Sequence, residues 1–481
     1  PTPNYLKSIL KIGNIKNVGE MEEITEGSEF MKKILLDDDD RTLYIQTWGG
    51  TNTTARALKS IEEEYKGTDK WDEIYKKVSE KAVIYIILNQ DDTYSKYIAK
   101  NWPDIKAIHD GGNFWRFAYM WQSVPTQLTT KLKGSWFYEN ILTNHGPLLA
   151  NYKTMGDGTT LEGELDSEQR GWENRIIGTG YDRYDFISEG DSPSFFYLLD
   201  TGLRSLEDPT YGGWGGRFEE DPKTGTFENT AKDFNIYTEK DDTTYTLTRW
   251  FDDIQNDFGA RADWCVADSY EKANHRPTVE VTTGLDITAA AGERVNIQAK
   301  ASDPDGDKLT YKWWQYYEAD TYKGSADGKI EMAGASSDRM SFVVPIDAKN
   351  GDTIHMIVEV YDNGAHNMKH YQRVILTVDG ESTPVREIKV TSNKDTIAAG
   401  TTATVSAAVT PADATDASVT WSSDDESVAT VEVGRRGVTV TGVSQGTTTI
   451  RATSNSNPDV SGSVEITVTR AANDPANSKV R

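Results

Sequence analysis

The sequence predicts a multi-domain protein in which one α/β domain precedes two all-β sandwiches, and three observations support this fold class. The chain has 481 residues, more than the roughly 250 to 300 that one hydrophobic core supports. Ten of its 13 tryptophans precede residue 276. Strand and helix patterns alternate before that point, whereas short strands separated by turn residues dominate after it. We therefore expect two or three domains.

The α/β assignment rests on the segment between residues 41 and 88. Arg41 to Trp48 is a β-rich run, and after two glycines a helical pattern extends from Thr53 to about Tyr65. Ala82 to Leu88 is short and continuously apolar, which is typical of a parallel strand covered on both faces. Strand, helix, strand predicts a right-handed βαβ unit in a Rossmann-like parallel sheet. Tyr184 to Ile187 is predicted as a further strand that enters a helix reaching Leu199.

Polar residues that follow these strands are the first candidates for chemistry, because ligands bind beyond the carboxyl ends of parallel strands. Glycosidic bond cleavage passes through an oxocarbenium-like transition state and requires carboxylates. We accordingly predict catalytic roles for Asp92 and Glu189. Flat aromatic faces and side chains that form hydrogen bonds suit a sugar, and the predicted substrate-binding residues are Asn52, Gln90, Asp91, Trp115, Arg116 and Trp214. For each aromatic residue, a place in the core is the competing and more frequent interpretation.

The all-β part begins near residue 276 and divides into two modules. We predict sandwiches over residues 276–380 and 385–470, with a short tail over 471–481. In the first module, Asp303-Pro-Asp-Gly-Asp307 could bind calcium or form a tight turn, and the turn is favoured.

Composition excludes some classes of partner. The formal net charge is -25, which argues against nucleic acid, because phosphate binding needs clustered Lys and Arg. No stretch approaches the roughly 18 apolar residues of a membrane span. The acidic run Asp37 to Asp40 precedes the first strand and is interpreted as solvated surface.

The last module resembles the group 2 bacterial immunoglobulin-like family. The resemblance rests on VREIKVTSN (385–393), VTPADATDASVTWSSDDESVATV (409–431) and GVTVTGVSQGTTTIRATS (437–454). That family is usual in secreted and surface proteins of bacteria. The resemblance therefore implies an extracytoplasmic bacterial protein that is secreted, periplasmic or associated with the cell surface.

The first domain resembles a nucleoside hydrolase-like family whose members are often labelled cellulose-binding proteins. The matching segments are WGGTNTTARAL (48–58), VIYIILNQDD (83–92), NFWRFAY (113–119), EGDSPSFFYLLDTGL (189–203), YGGWGGRFE (211–219) and RWFDDIQNDFGARADWCV (249–266). The resemblance covers residues 1 to about 275, and the family's sandwich domain matches 276–380. It implies that Asp191 is a calcium ligand. In the turn that matches GGTNTTARAL, Asn52 could cap a helix or face the pocket.

The chain also departs from this family. The family's opening strand, with its Asp-rich metal and base motif, does not appear before Pro1 to Asn17, so roughly a hundred upstream residues are expected to be missing. Gly190 stands where nucleoside hydrolases have a histidine. We expect a glycan-directed protein that hydrolyses a glycosidic or N-glycosidic bond with bound Ca²⁺. The alternatives are a non-catalytic protein that binds polysaccharide or oligosaccharide, or acts as an adhesin, and a purely structural stalk.

Overall fold

The computed structural model describes residues 2–118, 120–155, 181–188, 190–324, 328–380, 383–435 and 437–470. Contacts divide the chain into two compact units, which are described separately. The first comprises Pro1–Val279, Ala301–Thr310 and Glu359–Gln372, and the second comprises Glu280–Lys300, Tyr311–Val358 and Arg373–Arg481.

Helices occur in the first unit. Its α-helices are α1 (Pro3–Ile9), α2 (Glu26–Leu36), α3 (Asn52–Tyr65), α4 (Trp71–Lys81), α5 (Ala99–Asn101), α6 (Asn113–Ala118), α7 (Gly134–Phe137), α8 (Gly146–Ala150), α9 (Tyr245–Thr248) and α10 (Phe251–Trp264). Two π-helical segments, Tyr94–Ile98 and Tyr138–Leu142, and a 3₁₀ helix, Ser192–Leu198, also contribute to the features discussed below. Among the residues described, no helix has the length and apolar character needed to cross a membrane.

A five-stranded sheet organises this unit. Its strands are β1 (Leu43–Thr47), β2 (Ala82–Ile87), β3 (Lys106–Asp110), β4 (Glu219–Glu220) and β5 (Phe227–Glu228), in the order β1-β2-β3-β5-β4. β1, β2, β3 and β5 pair in parallel, whereas β4 runs antiparallel to β5 at the edge. The sheet is therefore mixed, and its parallel part confirms the βαβ prediction.

β2 is buried on both faces, as its continuous apolar sequence predicts. On one face Ile84 and Ile86 belong to a core with Leu58 and Ile61 of α3. On the other face Tyr85 packs with aromatic side chains from later segments of the chain, including Phe114, Tyr197 and Phe218. β2 therefore separates two hydrophobic cores, one on each face of the sheet.

The predicted strand from Tyr184 to Ile187 is wrong. Residues 181–188 form no strand, although Phe186 and Ile187 are buried. The side chain of Asp185 accepts hydrogen bonds from the backbone N–H of Gly134 (2.7 Å) and of Asp182 (2.9 Å). These bonds compete with a strand ladder and bend the chain. The helix predicted after it is the 3₁₀ helix Ser192–Leu198.

The acidic run before β1 is paired with lysines of α4. Asp37 binds Lys81, and Asp38 Oδ1 lies 3.1 Å from Lys77 Nζ. The Asp38–Lys77 pair is on the surface, where such a pair contributes little to stability, whereas Lys81 is buried and only Asp37 of the other pair is exposed.

The remaining strands form a hairpin and two pairs of sheets. The hairpin is β6 (Asp233–Asn235) with β7 (Lys240–Asp242). The next sheets have the orders β12-β10-β8 and β11-β13-β14-β9. Their strands are β8 (Thr278–Val281), β9 (Asp286–Ala289), β10 (Arg294–Ser302), β11 (Thr310–Gln315), β12 (Arg339–Val343), β13 (Thr353–Tyr361) and β14 (Lys369–Val378). These short strands are the all-β pattern that the sequence predicts after residue 276.

The last module has two four-stranded sheets, ordered β15-β17-β20-β19 and β16-β22-β21-β18. Their strands are β15 (Glu387–Ser392), β16 (Thr396–Ala398), β17 (Thr402–Thr410), β18 (Val419–Ser423), β19 (Ala429–Gly434), β20 (Gly437–Gly442), β21 (Gly446–Ser454) and β22 (Ser461–Thr469). Side chains of both sheets share a core that includes Val440, Ile450 and Ile466. An α/β domain followed by all-β sandwiches is the predicted order.

Candidate functional site

The carboxylate of Asp91 joins the loops that follow β1 and β2. Asp91 is buried, and its Oδ1 accepts hydrogen bonds from the hydroxyl (2.6 Å) and N–H (3.0 Å) of Thr93. The hydroxyl and N–H of Thr51 donate to the same oxygen, each at 3.3 Å. Asp91 Oδ2 is buried without a hydrogen-bond partner among the residues described. This predicted substrate-binding residue therefore orders two loops at the strand ends.

Its two neighbours, Gln90 and Asp92, are exposed. The side-chain amide of Gln90 donates to the backbone oxygens of Trp48 and Ile87, both at 3.0 Å. The side chain of Asp92 is 69% exposed, and its carboxylate binds Lys96 Nζ at 2.6 Å. Gln90 thus helps to fix the loop after β1, whereas the predicted catalytic Asp92 lies in a solvated ion pair.

Asn52 neither caps α3 with its side chain nor lies exposed. It is the first residue of the helix, and its side-chain amide donates to the backbone oxygen of Asn14 at 2.6 Å. The hydroxyl of Thr53 accepts from the N–H of Asn14 at 2.9 Å. The side chain of Asn52 therefore helps to attach the N-terminal segment to α3.

The end of β3 carries a buried carboxylate that sequence reasoning missed. Asp110 Oδ1 accepts from the N–H of Asn113 (3.0 Å) and of Phe114 (3.3 Å) at the start of α6, and Oδ2 accepts from the Tyr85 hydroxyl at 2.9 Å. Burial raises the pKa of Asp110, although these hydrogen bonds lower it. An aspartate directly before Gly-Gly-Asn and an apolar helix is a capping signal that could have identified it.

An exposed aromatic pair lies beside these loops. The ring centroids of Trp48 and Phe195 are 5.3 Å apart, edge to face, and the indole N–H of Trp48 donates to Ser194 Oγ at 2.9 Å. Trp48 is 41% exposed and Phe195 is 46% exposed. The pair connects the end of β1 to the 3₁₀ helix that follows Asp191. A tryptophan at the end of a parallel strand was the available sequence signal for this feature.

Asp191 immediately precedes that 3₁₀ helix, and its side chain makes no capping hydrogen bond. Partial burial raises its pKa. The predicted catalytic Glu189 lies outside the described residues. Within the described ranges, no three His, Cys, Asp or Glu side chains are placed to hold a metal ion. The described side chains therefore form no cluster of carboxylates around Asp191, and calcium binding by Asp191 stays a prediction.

The remaining predicted residues are distributed over two places. Trp115 is half-buried against Phe114, with ring centroids 4.7 Å apart, and Arg116 binds the hydroxyl of Ser123 at 2.5 Å. Trp214 is buried and lines a separate cavity. The structure thus does not gather Trp115, Arg116 and Trp214 around Asp91.

That cavity has a volume of about 630 Å³, within the range of small-molecule sites. Besides Trp214, its wall includes Phe117, Phe186 and Phe196. Two buried oxygens of the lining, Ser188 Oγ and Gln255 Oε1, have no hydrogen-bond partner in the part of the chain that is described. Ser192, Pro193 and Phe196 bring the 3₁₀ helix into the same wall. The helix therefore contributes both to the cavity and to the exposed aromatic pair.

The acidic segment of the middle module forms a turn. Asp303 Oδ1 accepts from the backbone N–H of Asp305 (2.9 Å) and of Asp307 (3.0 Å), and the carboxylate of Asp305 binds His275. These bonds match the turn interpretation.

Comparison with known proteins identifies three regions of the chain. Residues 1–218 match the family described as cellulose-binding Sde182, nucleoside hydrolase-like domain, and residues 294–378 match its C-terminal domain. Residues 384–468 match the group 2 bacterial Ig-like domain. These matches confirm both resemblances and the predicted fold class.

One solved structure supports the same relationship. It is a nucleoside hydrolase-related hypothetical protein from Saccharophagus degradans that is associated with carbohydrate metabolism. The two proteins are 27% identical, with a TM-score of 0.54, and the match covers 79% of this chain and 82% of that chain.

Two glycosidases from Bifidobacterium longum subsp. longum match shorter stretches. A 3-O-α-D-galactosyl-α-L-arabinofuranosidase is 43% identical over 93 residues, and an α-L-arabinofuranosidase is 36% identical over 115 residues. These stretches cover 19% and 24% of this chain, but 7% and 10% of the two enzymes. The chain therefore spans a tenth or less of the length of these relatives.

Proposed function

Because residues 1–218 and 294–378 match the nucleoside hydrolase-like and C-terminal domains of cellulose-binding Sde182 proteins, we propose that the chain binds cellulose or a related polysaccharide. The observation that carries the proposal is the exposed Trp48–Phe195 pair at the strand ends. The faces of a pyranose ring are rich in C–H groups and pack against flat aromatic side chains. Large apolar side chains that stay exposed together commonly mark a binding surface.

Polar groups near the pair would supply the directional contacts. Asn89 and Gln90 are exposed next to it, since Gln90 is bonded to the backbone of Trp48. Amides donate and accept hydrogen bonds and therefore suit hydroxyl groups. An aromatic platform with a few polar neighbours is the composition expected of a saccharide site.

The test is binding of the intact chain to insoluble cellulose. Trp48→Ala and Phe195→Ala are each expected to weaken binding about 5- to 30-fold, which corresponds to a loss of roughly 1 to 2 kcal/mol. Phe30→Ala on α2 is the matched control, because Phe30 is 48% exposed and Phe195 is 46% exposed. Circular dichroism of each variant checks that its fold is intact.

Two results would contradict the proposal. One is the absence of binding by the intact chain to cellulose and to related polysaccharides. The other is binding that Phe30→Ala weakens as much as the folded Trp48→Ala and Phe195→Ala variants do.

A second candidate function is hydrolysis of a glycosidic bond, which the nucleoside hydrolase-like match over residues 1–218 favours. For this function Asp191 would act as a carboxylate ligand of a bound cation, so its side chain would be ionised and would not serve as the proton donor. Asp191→Asn should abolish sugar release from oligosaccharides or nucleosides. Absence of release by the intact chain would exclude this function and leave the binding proposal intact.

We propose Ca²⁺ as the cation of this second function, with Asp191 as one ligand and further ligands from outside the described residues. Addition of Ca²⁺ should raise the melting temperature of the wild type but not of Asp191→Asn, since a ligand that binds only the folded state stabilises it.

The Ig-like modules support a secreted or surface-attached bacterial protein. Fractionation of the native source tests this placement. Recovery of the chain from the cytoplasm alone would contradict it.

A further inference from the structure

A second cleft in the first unit shares no lining residue with the cavity that contains Trp214. It has a volume of about 560 Å³ and is lined by segments around α7, α10 and the turn Ala365–Asn367. Residues that bear on its chemistry are Trp136, Asn144, His145, Asp263, His366 and Asn367. None of these is a predicted substrate-binding residue.

Two histidines converge on one carboxylate in this cleft. His145 Nε2 lies 2.9 Å from Asp263 Oδ1, and His366 Nε2 lies 3.0 Å from Asp263 Oδ2. Because a carboxylate accepts, both Nε2 atoms donate. This leaves Nδ1 of the buried His145 without a hydrogen-bond partner among the residues described. An unsatisfied buried nitrogen is costly unless a ligand or water pairs with it.

The backbone around the cleft is strained. Six non-glycine residues in the described chain have positive φ, and three of them line the cleft: Asn144 (64°), His366 (66°) and Asn367 (44°). The His366 ring also lies directly against α10, where a Cβ on Gly259 would be 2.5 Å from its Cε1. Such conformations are unfavourable for side-chain-bearing residues and concentrate at functional sites.

The lining disfavours an anion. Lys131 is the only lysine or arginine among the described residues that line the cleft. Its Nζ donates a hydrogen bond to Asn256 Oδ1 at 2.8 Å and lies 3.6 Å from Asp252 Oδ2. Glu139 and Asp263 add negative charge to the same wall. Within the described ranges, no group of three His, Cys, Asp or Glu side chains is arranged to hold a metal ion.

We propose that this cleft is a second saccharide-binding site. Trp136, whose ring centroid lies 6.3 Å from that of His366, supplies an aromatic surface. The amides of Asn144 and Asn367, which line the same cleft, supply donors and acceptors for hydroxyl groups. A neutral, polyhydroxylated ligand fits this combination of an aromatic ring and amides in a wall that disfavours anions. The inference rests on the proposed carbohydrate function and adds a site to it.

The test is isothermal titration of the intact chain with cellotetraose. Wild type should show two binding sites per chain. Trp136→Ala and Asn144→Gly should each weaken one of them by about ten-fold or more, which corresponds to roughly 1.4 kcal/mol. Glycine accepts the positive φ of Asn144, so Asn144→Gly removes the amide without adding strain. Glu239→Gly, at a positive-φ residue outside this cleft, is the matched control.

The possible outcomes separate the two proposals. Loss of one site in both cleft variants, with Glu239→Gly unchanged, supports the second site. If Trp48→Ala removes all binding while Trp136→Ala and Asn144→Gly remove none, the second site is wrong and the proposed function stands. If wild type binds neither cellotetraose nor cellulose, both fail. If Glu239→Gly weakens cellotetraose binding as much as Trp136→Ala and Asn144→Gly do, the second site is also wrong.

Discussion

At the scale of single residues, Gly50 leaves no room for a side chain. A Cβ there would be 2.1 Å from Asp91 Oδ2 and 2.6 Å from its Cγ. Gly50→Ala should therefore displace Asp91 from Thr51 and Thr93 and destabilise the first unit by about 1 to 3 kcal/mol, the usual cost of overpacking. Urea denaturation measures this change.

The neighbouring glycine provides the control. A Cβ on Gly49 would meet nothing within 4 Å, so Gly49→Ala should leave stability nearly unchanged. Gly50→Ala should also weaken cellulose binding, because the same loop carries Trp48. Equal stability of the two variants would show that Asp91 does not order these loops.

At the scale of elements, a buried carboxyl group stabilises the region after β11. Asp320 accepts hydrogen bonds from the Gln315 side chain (2.7 Å) and from the N–H of His355 (2.6 Å). Burial nevertheless raises the pKa of Asp320 to about 7. In the unfolded chain the pKa of an aspartate is about 4.

This difference makes the stability of the second unit depend on pH. Between about pH 4 and pH 7 the folded state holds a proton that the unfolded state has lost, so the free energy of unfolding falls as pH rises through this window. Below it the contribution is constant. Thermal denaturation across the window measures the slope.

Asp320→Asn should reduce that slope because asparagine does not titrate. Asparagine also replaces one acceptor oxygen with an N–H donor, so the comparison concerns the slope with pH and not the melting temperature itself. An unchanged slope would show that the pKa of Asp320 is the same in the folded and the unfolded state.

At the scale of the whole molecule, the last module has a core of its own. Its two clusters of buried residues contain only side chains between Val385 and Val468. A fragment of residues 383–470 should therefore fold alone in one cooperative transition, observed by circular dichroism during heating.

A core substitution tests whether the fragment has the same structure as in the intact chain. Ile450 is fully buried, and Ile450→Ala should cost about 2 to 5 kcal/mol in the fragment and the same amount in the corresponding transition of the intact chain. An unfolded fragment, or a clearly different cost, would show that the module depends on the rest of the chain.

Local sequence patterns were sufficient to determine β1, α3, β2 and the all-β character of the chain after residue 276. The apolar run of β2 and the helical period of α3 depend on near neighbours, and the structure shows both close to their predicted bounds. The segment from Tyr184 to Ile187 failed because side-chain hydrogen bonds of Asp185, which strand propensity does not include, bend the backbone.

The candidate sites were decided by the tertiary structure. Asp91 and Asp92 are adjacent in sequence, yet one is buried against two threonines and the other is solvated beside a lysine. Trp48 meets Phe195, and Asp263 meets both His145 and His366, across long stretches of chain. Burial and the choice of partner depend on distant segments, so the sequence by itself determined the α/β and sandwich architecture, and only the packing decided which polar and aromatic residues face a ligand.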